Sequence, residues 1–192
     1  MKAVGYTASK PIDQDDALFD FEMEAPSPTG HDLLVRVQAI SVNPVDYKVR
    51  LRRASEDGRP IVLGWDAVGE VVAVGDRTSM FKPGDAVWYA GAIDRQGTNA
   101  EFHLVDERIV GGKPQSASAA EAAALPLTTL TAYEMLFDRL RVTDPVPGAT
   151  PAVLIIGGSG GVGSITIQLL RALTELTVIA PASVNSLATS PI

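Results

Sequence analysis

The feature that most constrains this chain is a glycine-rich turn between an apolar segment and a helical pattern. Residues Ala152 to Ile156 read AVLII, and Gly158-Ser159-Gly160-Gly161-Val162-Gly163 follows as G-x-G-x-x-G. A helical pattern runs from Ser164 to Glu175, and a second apolar segment runs from Leu176 to Ala180. The order strand, glycine turn, helix, strand predicts a βαβ unit with two parallel strands.

The residues of this turn are candidates for binding a dinucleotide. We expect Gly158 to permit the tight bend, Gly160 to let the main chain approach a pyrophosphate, and Gly163 to let the helix pack on the strand. The helix N-terminus offers N–H groups and a partial positive charge to the phosphates. The candidate cofactor-binding residues here are Gly158, Ser159, Gly160, Gly161, Val162 and Gly163. The alternative is a flexible turn without a ligand.

The residue that reads the cofactor ribose is expected about 20 positions after the turn, as an acid for NAD or a cation for NADP. Residues Pro181 to Asn185 contain neither, and Ser183 and Asn185 are the polar groups present. Ser183 is therefore a further cofactor-binding candidate. The sequence does not discriminate NAD from NADP at this place.

Composition excludes several classes of protein. The 192 residues carry a net charge of -7, which leaves no electrostatic footprint for nucleic acid or anionic lipid. The chain contains no cysteine, so disulfides, thiolate zinc sites and iron–sulfur clusters are excluded. Together with a start that matches no signal or transit peptide, this predicts a cytoplasmic protein.

The first 112 residues predict mainly antiparallel β structure, because short apolar runs alternate with Gly, Pro and Asp clusters. The predicted strands are Asp32 to Val42, Ala67 to Gly75, Asp85 to Gly91 and Asn99 to Glu107. A helix is predicted to start at Pro44. Alanine-rich sequence from Ser116, with Ser118 as N-cap, predicts helices, and another helix is predicted from Thr129 or Leu130 to Leu140.

Five segments in order resemble the medium-chain dehydrogenase/reductase superfamily, and within it the quinone oxidoreductase and zinc-type alcohol dehydrogenase-like branch. These segments are NPVDYKVR (43–50), LGWDAVGEVVAVG (63–75), FKPGDAVW (81–88), AALPLTTLTAYEML (123–136) and GGSGGVG (157–163). The resemblance implies an α/β fold with a GroES-like, mainly antiparallel β domain over residues 1–126. A linking helix and the start of a Rossmann domain follow over 127–192. Because a doubly wound fold needs about six strands, we expect the chain to end within an incomplete Rossmann domain.

The resemblance also predicts that zinc is absent. The family's zinc ligands are a Cys, a His and a Cys, which correspond to Asn43, Trp65 and, approximately, Leu127 in this chain. None of these side chains is a zinc ligand. Hydride chemistry would then depend on positioning and on hydrogen bonds to a developing oxyanion or enolate.

By resemblance, the catalytic candidates are Asn43, Asp46 and Lys48. Asn43 is expected to donate a hydrogen bond to a substrate carbonyl, and Asp46 to orient Asn43 or the cofactor ribose. Each has a structural alternative: Asn43 as a helix N-cap, Asp46 as a first-turn carboxylate that complements the helix dipole, and Lys48 as a solvated surface charge. Thr131 resembles the threonine beside the nicotinamide and is counted with the cofactor-binding candidates, against simple helix packing.

The resulting hypothesis is a zinc-independent oxidoreductase that transfers hydride from NADPH, or from NADH, to a quinone or a carbonyl-conjugated double bond. The expected partner is a small-molecule substrate, without nucleic acid or membrane, and the family resemblance implies a homodimer. The alternative is a catalytically inactive remnant, or a binding or scaffold protein with a GroES-like domain. Whether the chain is an enzyme stays open at this stage.

Overall fold

The computed structural model describes residues 1–144 and 146–181. Ser183 lies outside the described residues. The described residues form two compact units, which are divided after Leu127. Among the described residues, no helix has both the length and the apolar character needed to cross a bilayer.

The first unit is mainly antiparallel β structure with two sheets. Its elements are β1 (Lys2–Tyr6), β2 (Phe19–Glu22), β3 (Asp32–Ser41), α1 (Pro44–Arg52), β4 (Ile61–Val62), β5 (Asp66–Val74), β6 (Ala86–Ala90), β7 (Phe102–Asp106), β8 (Val110–Gly112) and α2 (Ala119–Ala123). The strand orders are β2-β1-β4 in the smaller sheet and β7-β3-β5-β6-β8 in the larger one. Every strand pair in both sheets is antiparallel.

The core of the first unit lies against the larger sheet. Strand β3 alternates between buried and more exposed residues at its start, because successive side chains of a strand point to opposite faces. The buried core residues on this sheet are Leu33, Val35, Ala67, Val71, Val87, Tyr89, Val105 and Val110. Val68, on the other face of β5, packs against Ala122 and Ala123 of α2. Both faces of this central strand are therefore covered.

The second unit has a parallel pair of strands and three helical segments. Its elements are β9 (Ala152–Leu154), α4 (Gly161–Leu173) and β10 (Thr177–Ile179), preceded by a π-helical segment, Glu134–Arg139. The helix α3 (Pro126–Tyr133) begins at the end of the first unit and continues into the second. Strands β9 and β10 pair in parallel, with Val153 opposite Val178. The predicted βαβ unit and the α/β fold class are confirmed.

Several element boundaries differ from those predicted. The third helix begins at Pro126 rather than at Thr129 or Leu130, and the helix after the glycine turn begins at Gly161 rather than at Ser164. Glycine has a low helix propensity, which hides the true start of α4 in the sequence. The N-cap at Ser118 is confirmed, because its hydroxyl accepts the N–H of Glu121 at 3.3 Å.

Candidate active site

Asn43 lies at the start of α1, where strand pairing brings it close to Asp66. Ser41 at the end of β3 pairs with Asp66 at the start of β5, and Asn43 follows two residues later. The main-chain N–H of Asn43 donates to Asp46 Oδ2 at 2.5 Å, and the N–H of Asp46 donates to the Asn43 carbonyl at 2.9 Å. Pro44 takes the first helical position, where its missing N–H costs nothing. The helix is thus begun by main-chain groups and the Asp46 carboxylate.

The Asn43 side chain also contacts Asp66. It is buried, and its Nδ2 donates to Asp66 Oδ2 at 2.8 Å. Asn43 is nevertheless the N-cap of α1 and forms a capping box with Asp46, so its structural alternative holds beside the contact with Asp66. The first-turn position of Asp46 does match the structural alternative for that residue, since its carboxylate accepts the N–H of Asn43.

Asp66 has the most perturbed carboxyl group of this site. It is fully buried, and its Oδ1 accepts the main-chain N–H of Leu127 at 2.8 Å. Burial raises the pKa of Asp66 to about 6, the hydrogen bonds from Asn43 and Leu127 oppose the shift, and the charge of Asp46 adds to it. One carboxylate thus bridges Asn43 and Leu127, which lie at two of the positions that the family resemblance assigned to zinc ligands.

Asp46 is also buried. Burial raises its pKa, and the main-chain N–H groups of Asn43 and Gly64 oppose this rise. Its Oδ1 has no hydrogen-bond partner in the part of the chain that the structure describes. Asp46 and Asp66 therefore hold Asn43 from two sides, Asp46 at the main chain and Asp66 at the side chain.

Lys48 is separated from this group. It lies exposed on α1 beside Tyr47, whose side chain is also exposed. The structure thus brings Asn43 and Asp46 together with Asp66, and leaves Lys48 on the surface of the helix. Sequence reasoning missed Asp66 as a site residue, although Asp66 directly follows Trp65, which lies at the position of the family's histidine ligand.

The side chains near this site do not form a metal centre. Trp65 is buried, and its Nε1 donates to the Ala92 carbonyl at 3.0 Å. Both histidines have other partners: His31 pairs with Glu107, and His103 contacts Tyr89 and the Gln96 carbonyl. Within residues 1–144 and 146–181, no group of three or more His, Cys, Asp or Glu side chains could hold a metal ion. The donor set therefore does not fit the tetrahedral zinc site of the family.

The glycines of the turn in the second unit have different structural roles. Gly157 has a φ of +76°, so the bend lies at Gly157, one residue before Gly158, to which the motif assigned it. A Cβ on Gly158 would lie 3.1 Å from Ile167 Cδ1 and 3.2 Å from Ala180 Cβ. A Cβ on Gly163 would lie 2.2 Å from the Gly157 carbonyl oxygen. Gly158 and Gly163 therefore permit close packing.

Gly160 and Gly161 present an open main-chain surface. A Cβ on Gly160 would meet only the Gly157 oxygen, at 3.4 Å, and both residues are exposed, as is Ser159. Gly160 precedes the first residue of α4, whose opening N–H groups have no acceptor within the helix. This cradle, which side chains would partly fill, fits a pyrophosphate. It would be held by the N–H groups of Gly161, Val162 and Gly163.

Residue Thr128 borders the same turn. A Cβ on Gly161 would lie 3.4 Å from Thr128 Cγ2. Thr131 is exposed one helical turn further along α3, and residues three apart lie on the same face of a helix. Thr128 is a further candidate beside the turn that sequence reasoning missed, and its three-residue spacing from Thr131 was the available signal.

Comparisons with known proteins agree with this architecture. The family model described as "Alcohol dehydrogenase GroES-like domain" matches residues 29–133, more than half of the 192 residues. The crystal structure of an alcohol dehydrogenase protein from Rhizobium etli CFN 42, zinc-dependent by its description, has a TM-score of 0.92 and 61% identity. It matches over 95% of this chain and 53% of that one.

Three curated relatives extend the comparison. A zinc-type alcohol dehydrogenase-like protein of Staphylococcus epidermidis is 45% identical over 95% of this chain and 54% of its own length. The chloroplastic quinone-oxidoreductase homolog of Spinacia oleracea is 35% identical over 81% and 48%, and the 2-methylene-furan-3-one reductase of Solanum lycopersicum is 35% identical over 95% and 47%. The chain spans about half the length of the curated relatives it matches.

The chain therefore belongs to the alcohol dehydrogenase GroES-like family, within the medium-chain dehydrogenase/reductase superfamily. Its relatives include the quinone oxidoreductase and zinc-type alcohol dehydrogenase-like groups that the five sequence segments indicated. The fold expected from the resemblance, a GroES-like antiparallel β domain followed by a Rossmann-type βαβ unit, is confirmed.

Proposed function

We propose that this protein is a zinc-independent oxidoreductase that transfers hydride from NADPH to a quinone or a carbonyl-conjugated double bond. The observation that carries the proposal is the open main-chain surface at Gly160 and Gly161 before the first turn of α4. The names of the quinone-oxidoreductase homolog and of the furanone reductase support the substrate class. Zinc independence is supported by the side chains of Asn43, Trp65 and Leu127, none of which is a zinc ligand.

In this proposal the chain's residues hold the substrate oxygen and the cofactor phosphates. NADPH, when bound, supplies the hydride. Asn43 uses the N–H that does not bond Asp66 to donate to the substrate oxygen, which gains negative charge as hydride arrives. Asp46 fixes the main chain of Asn43 through the 2.5 Å hydrogen bond. Lys48 is kept as a candidate on its position alone.

The glycine turn has the cofactor role. The N–H groups at the start of α4 bind the pyrophosphate. The exposed Ser159 adds a hydroxyl donor beside them, and the exposed Thr131 is assigned to the nicotinamide end of the cofactor. NADPH is proposed on the family resemblance, with NADH as the second possibility.

An inactive remnant or scaffold is the second candidate, because one observation favours it. Among the described residues the parallel sheet has two strands, and Leu154, Ile156 and Ile179 are exposed. A nucleotide site on so small a sheet could bind cofactor weakly. Cofactor affinity therefore separates the two candidates.

The test is a calorimetric titration with NADPH and with NADH, followed by an NADPH-oxidation assay with a quinone and an enone, each with and without a chelator. The proposal expects saturable NADPH binding, and turnover that the chelator does not change. Elemental analysis of the purified protein is the control for metal. One zinc per chain would overturn zinc independence, and absence of NADPH binding would favour the remnant.

A further inference from the structure

The Asp66 carboxylate makes two hydrogen bonds that join distant parts of the first unit. Its Oδ2 accepts from Asn43 Nδ2 at 2.8 Å and its Oδ1 accepts from the Leu127 N–H at 2.8 Å. Asn43 and Leu127 are 23 and 61 residues away from Asp66 in sequence. No solvent reaches Asp66, whose exposed fraction is 0%. A group in this position controls its partners more strictly than a surface carboxylate does, because water cannot replace either bond.

The chemistry of a carboxylate decides how the Asn43 carboxamide is oriented. An ionised carboxylate only accepts hydrogen bonds, whereas a carboxamide has a donor end and an acceptor end. Rotating the carboxamide by half a turn would place its Oδ1 against Asp66 Oδ2, at a distance where two acceptors repel. The ionised form of Asp66 therefore selects the orientation in which Nδ2 faces it. The second N–H and the Oδ1 of Asn43 are fixed as a consequence.

We propose that Asp66 is a positioning residue, which sets the orientation of the Asn43 carboxamide and thereby places the N–H that donates to the substrate oxygen. The part of this inference that concerns the substrate rests on the proposed function. The part that concerns the orientation of Asn43 rests on the hydrogen bond from Asn43 Nδ2 to the buried Asp66 carboxylate, and the capping box with Asp46 is compatible with the same orientation.

The positioning depends on the protonation of Asp66. A protonated carboxyl group can donate as well as accept, so it tolerates either end of the carboxamide. Asp46 is the charged group whose field reaches Asp66, and the groups that bond Asp66, the Asn43 amide and the Leu127 N–H, are neutral. Since burial raises the pKa of Asp66 to about 6, orientational control is present well above that pH and is lost progressively as the pH falls through it.

The experiment is an NMR titration of the 192-residue chain between pH 4.5 and 8. It follows the Asp66 carboxyl carbon and the two side-chain amide protons of Asn43. We expect both sets of resonances to shift with one shared midpoint near pH 6. Wild-type protein suffices for this arm, so it does not depend on whether a variant folds.

Two variants sharpen the result. Asp66→Asn should abolish the pH-dependent shift of the Asn43 resonances. Asp46→Asn, the matched control, should keep the shift but move its midpoint to lower pH, because it removes the charge that raises the pKa of Asp66. Asn43 resonances that stay constant while Asp66 titrates would overturn the positioning role.

The enzymatic arm separates this inference from the proposed function. At pH 7.5, Asp66→Asn should lower kcat for NADPH-dependent reduction at least tenfold with little change in the KM for NADPH. An unchanged kcat in that variant would overturn the substrate part of the inference. Wild-type protein that binds no NADPH, yet shows the shared NMR midpoint, would count against the proposed function and support the orientation of Asn43 by Asp66.

Discussion

The two candidate regions of this molecule are built in opposite ways. Asn43, Asp46 and Asp66 are buried, and Asp66 accepts hydrogen bonds from two residues that are far from it in sequence. Gly160 and Gly161 are exposed, and a Cβ added to either residue would have a single atom within 4 Å. Substitution in the first region therefore disturbs folding and function together. Substitution in the second can disturb binding alone, so the two regions need different experiments.

The first unit also has the larger buried core of the two. Eight buried residues form the main cluster of the first unit, whereas Leu136, Ile155 and Leu170 form that of the second. The second unit also exposes large apolar side chains, of which Ile156 is 78% exposed. Closely packed interiors transmit small changes in volume, so the first unit should be the more sensitive to added atoms.

The largest effect is expected for Gly69→Ala in β5. A Cβ there would lie 2.3 Å from the Arg36 carbonyl oxygen and 2.5 Å from Val35 Cγ1, between two central strands. We expect a loss of about 3 kcal/mol or more in the free energy of unfolding, measured by urea denaturation. Gly112→Ala in β8 is the control, because a Cβ there meets nothing within 4 Å. Equal stability of the two variants would contradict the sensitivity of the first unit.

The second prediction concerns two groups of the first unit whose titrations have opposite effects on stability. Burial lowers the pKa of His103 to about 4, because the folded protein favours the neutral imidazole. The stabilisation that His103 adds to the free energy of unfolding is therefore complete above its unfolded pKa of about 6.5, and it is lost as the pH falls toward 4. Burial raises the pKa of Asp66 to about 6, so its contribution is complete below pH 3.8 and is lost as the pH rises through 6. Each amounts to about 3 kcal/mol.

These opposite slopes should nearly cancel between pH 4 and 6 in the wild-type protein. As the pH falls from 7, the free energy of unfolding of His103→Gln should therefore rise above its own value at pH 7. That of Asp66→Asn should fall below its own value at pH 7. Urea denaturation at pH 4.5, 5.5 and 7 measures the three profiles. Parallel profiles for wild type and both variants would mean that neither group titrates in this window.

Local sequence patterns predicted the regular elements, but tertiary contacts decided the site. Pro44 marked the start of α1, and the apolar run from Asp32 to Val42 marked β3, since both signals lie within a few residues. Strand β1 was missed, because the run Lys2–Tyr6 is short and contains Gly5. Asp66 was missed as a site residue because its bond to Leu127 spans 61 positions, and no local pattern encodes such a contact.

The third prediction uses the glycine turn. Gly160→Val should weaken NADPH binding at least tenfold, because the isopropyl group would occupy the space proposed for the pyrophosphate. Its φ of -75° suits any residue, so the loss of unfolding free energy should stay below about 1 kcal/mol, from the poorer N-cap. A cofactor titration and a thermal melt on the same sample provide both values.

Gly163→Val is the matched variant for this experiment. Its Cβ would lie 2.2 Å from the Gly157 carbonyl oxygen, so it should lower the melting temperature as well as the affinity. If Gly160→Val lowers the affinity and the melting temperature in the same proportion as Gly163→Val does, both glycines serve packing. That outcome would contradict the proposed pyrophosphate site at Gly160.

The smallest effect on folding is expected at the exposed apolar face of the second unit. Ile155 is 8% exposed and belongs to the core with Leu136 and Leu170, whereas its neighbour Ile156 is 78% exposed. Ile156→Ser should change the free energy of unfolding by less than about 0.5 kcal/mol, while Ile155→Ser should cost about 2–4 kcal/mol.

The same pair of variants tests what the exposed face does in solution. Exposed apolar side chains beside an unpaired strand edge favour association, so the wild-type chain should form larger species as its concentration rises. Light scattering coupled to size-exclusion chromatography should show less association for Ile156→Ser at equal concentration, because the substitution removes apolar area without touching the core. A wild-type chain that stays monodisperse over the whole range, or an Ile156→Ser variant that melts as early as Ile155→Ser, would contradict the difference in packing between the two units.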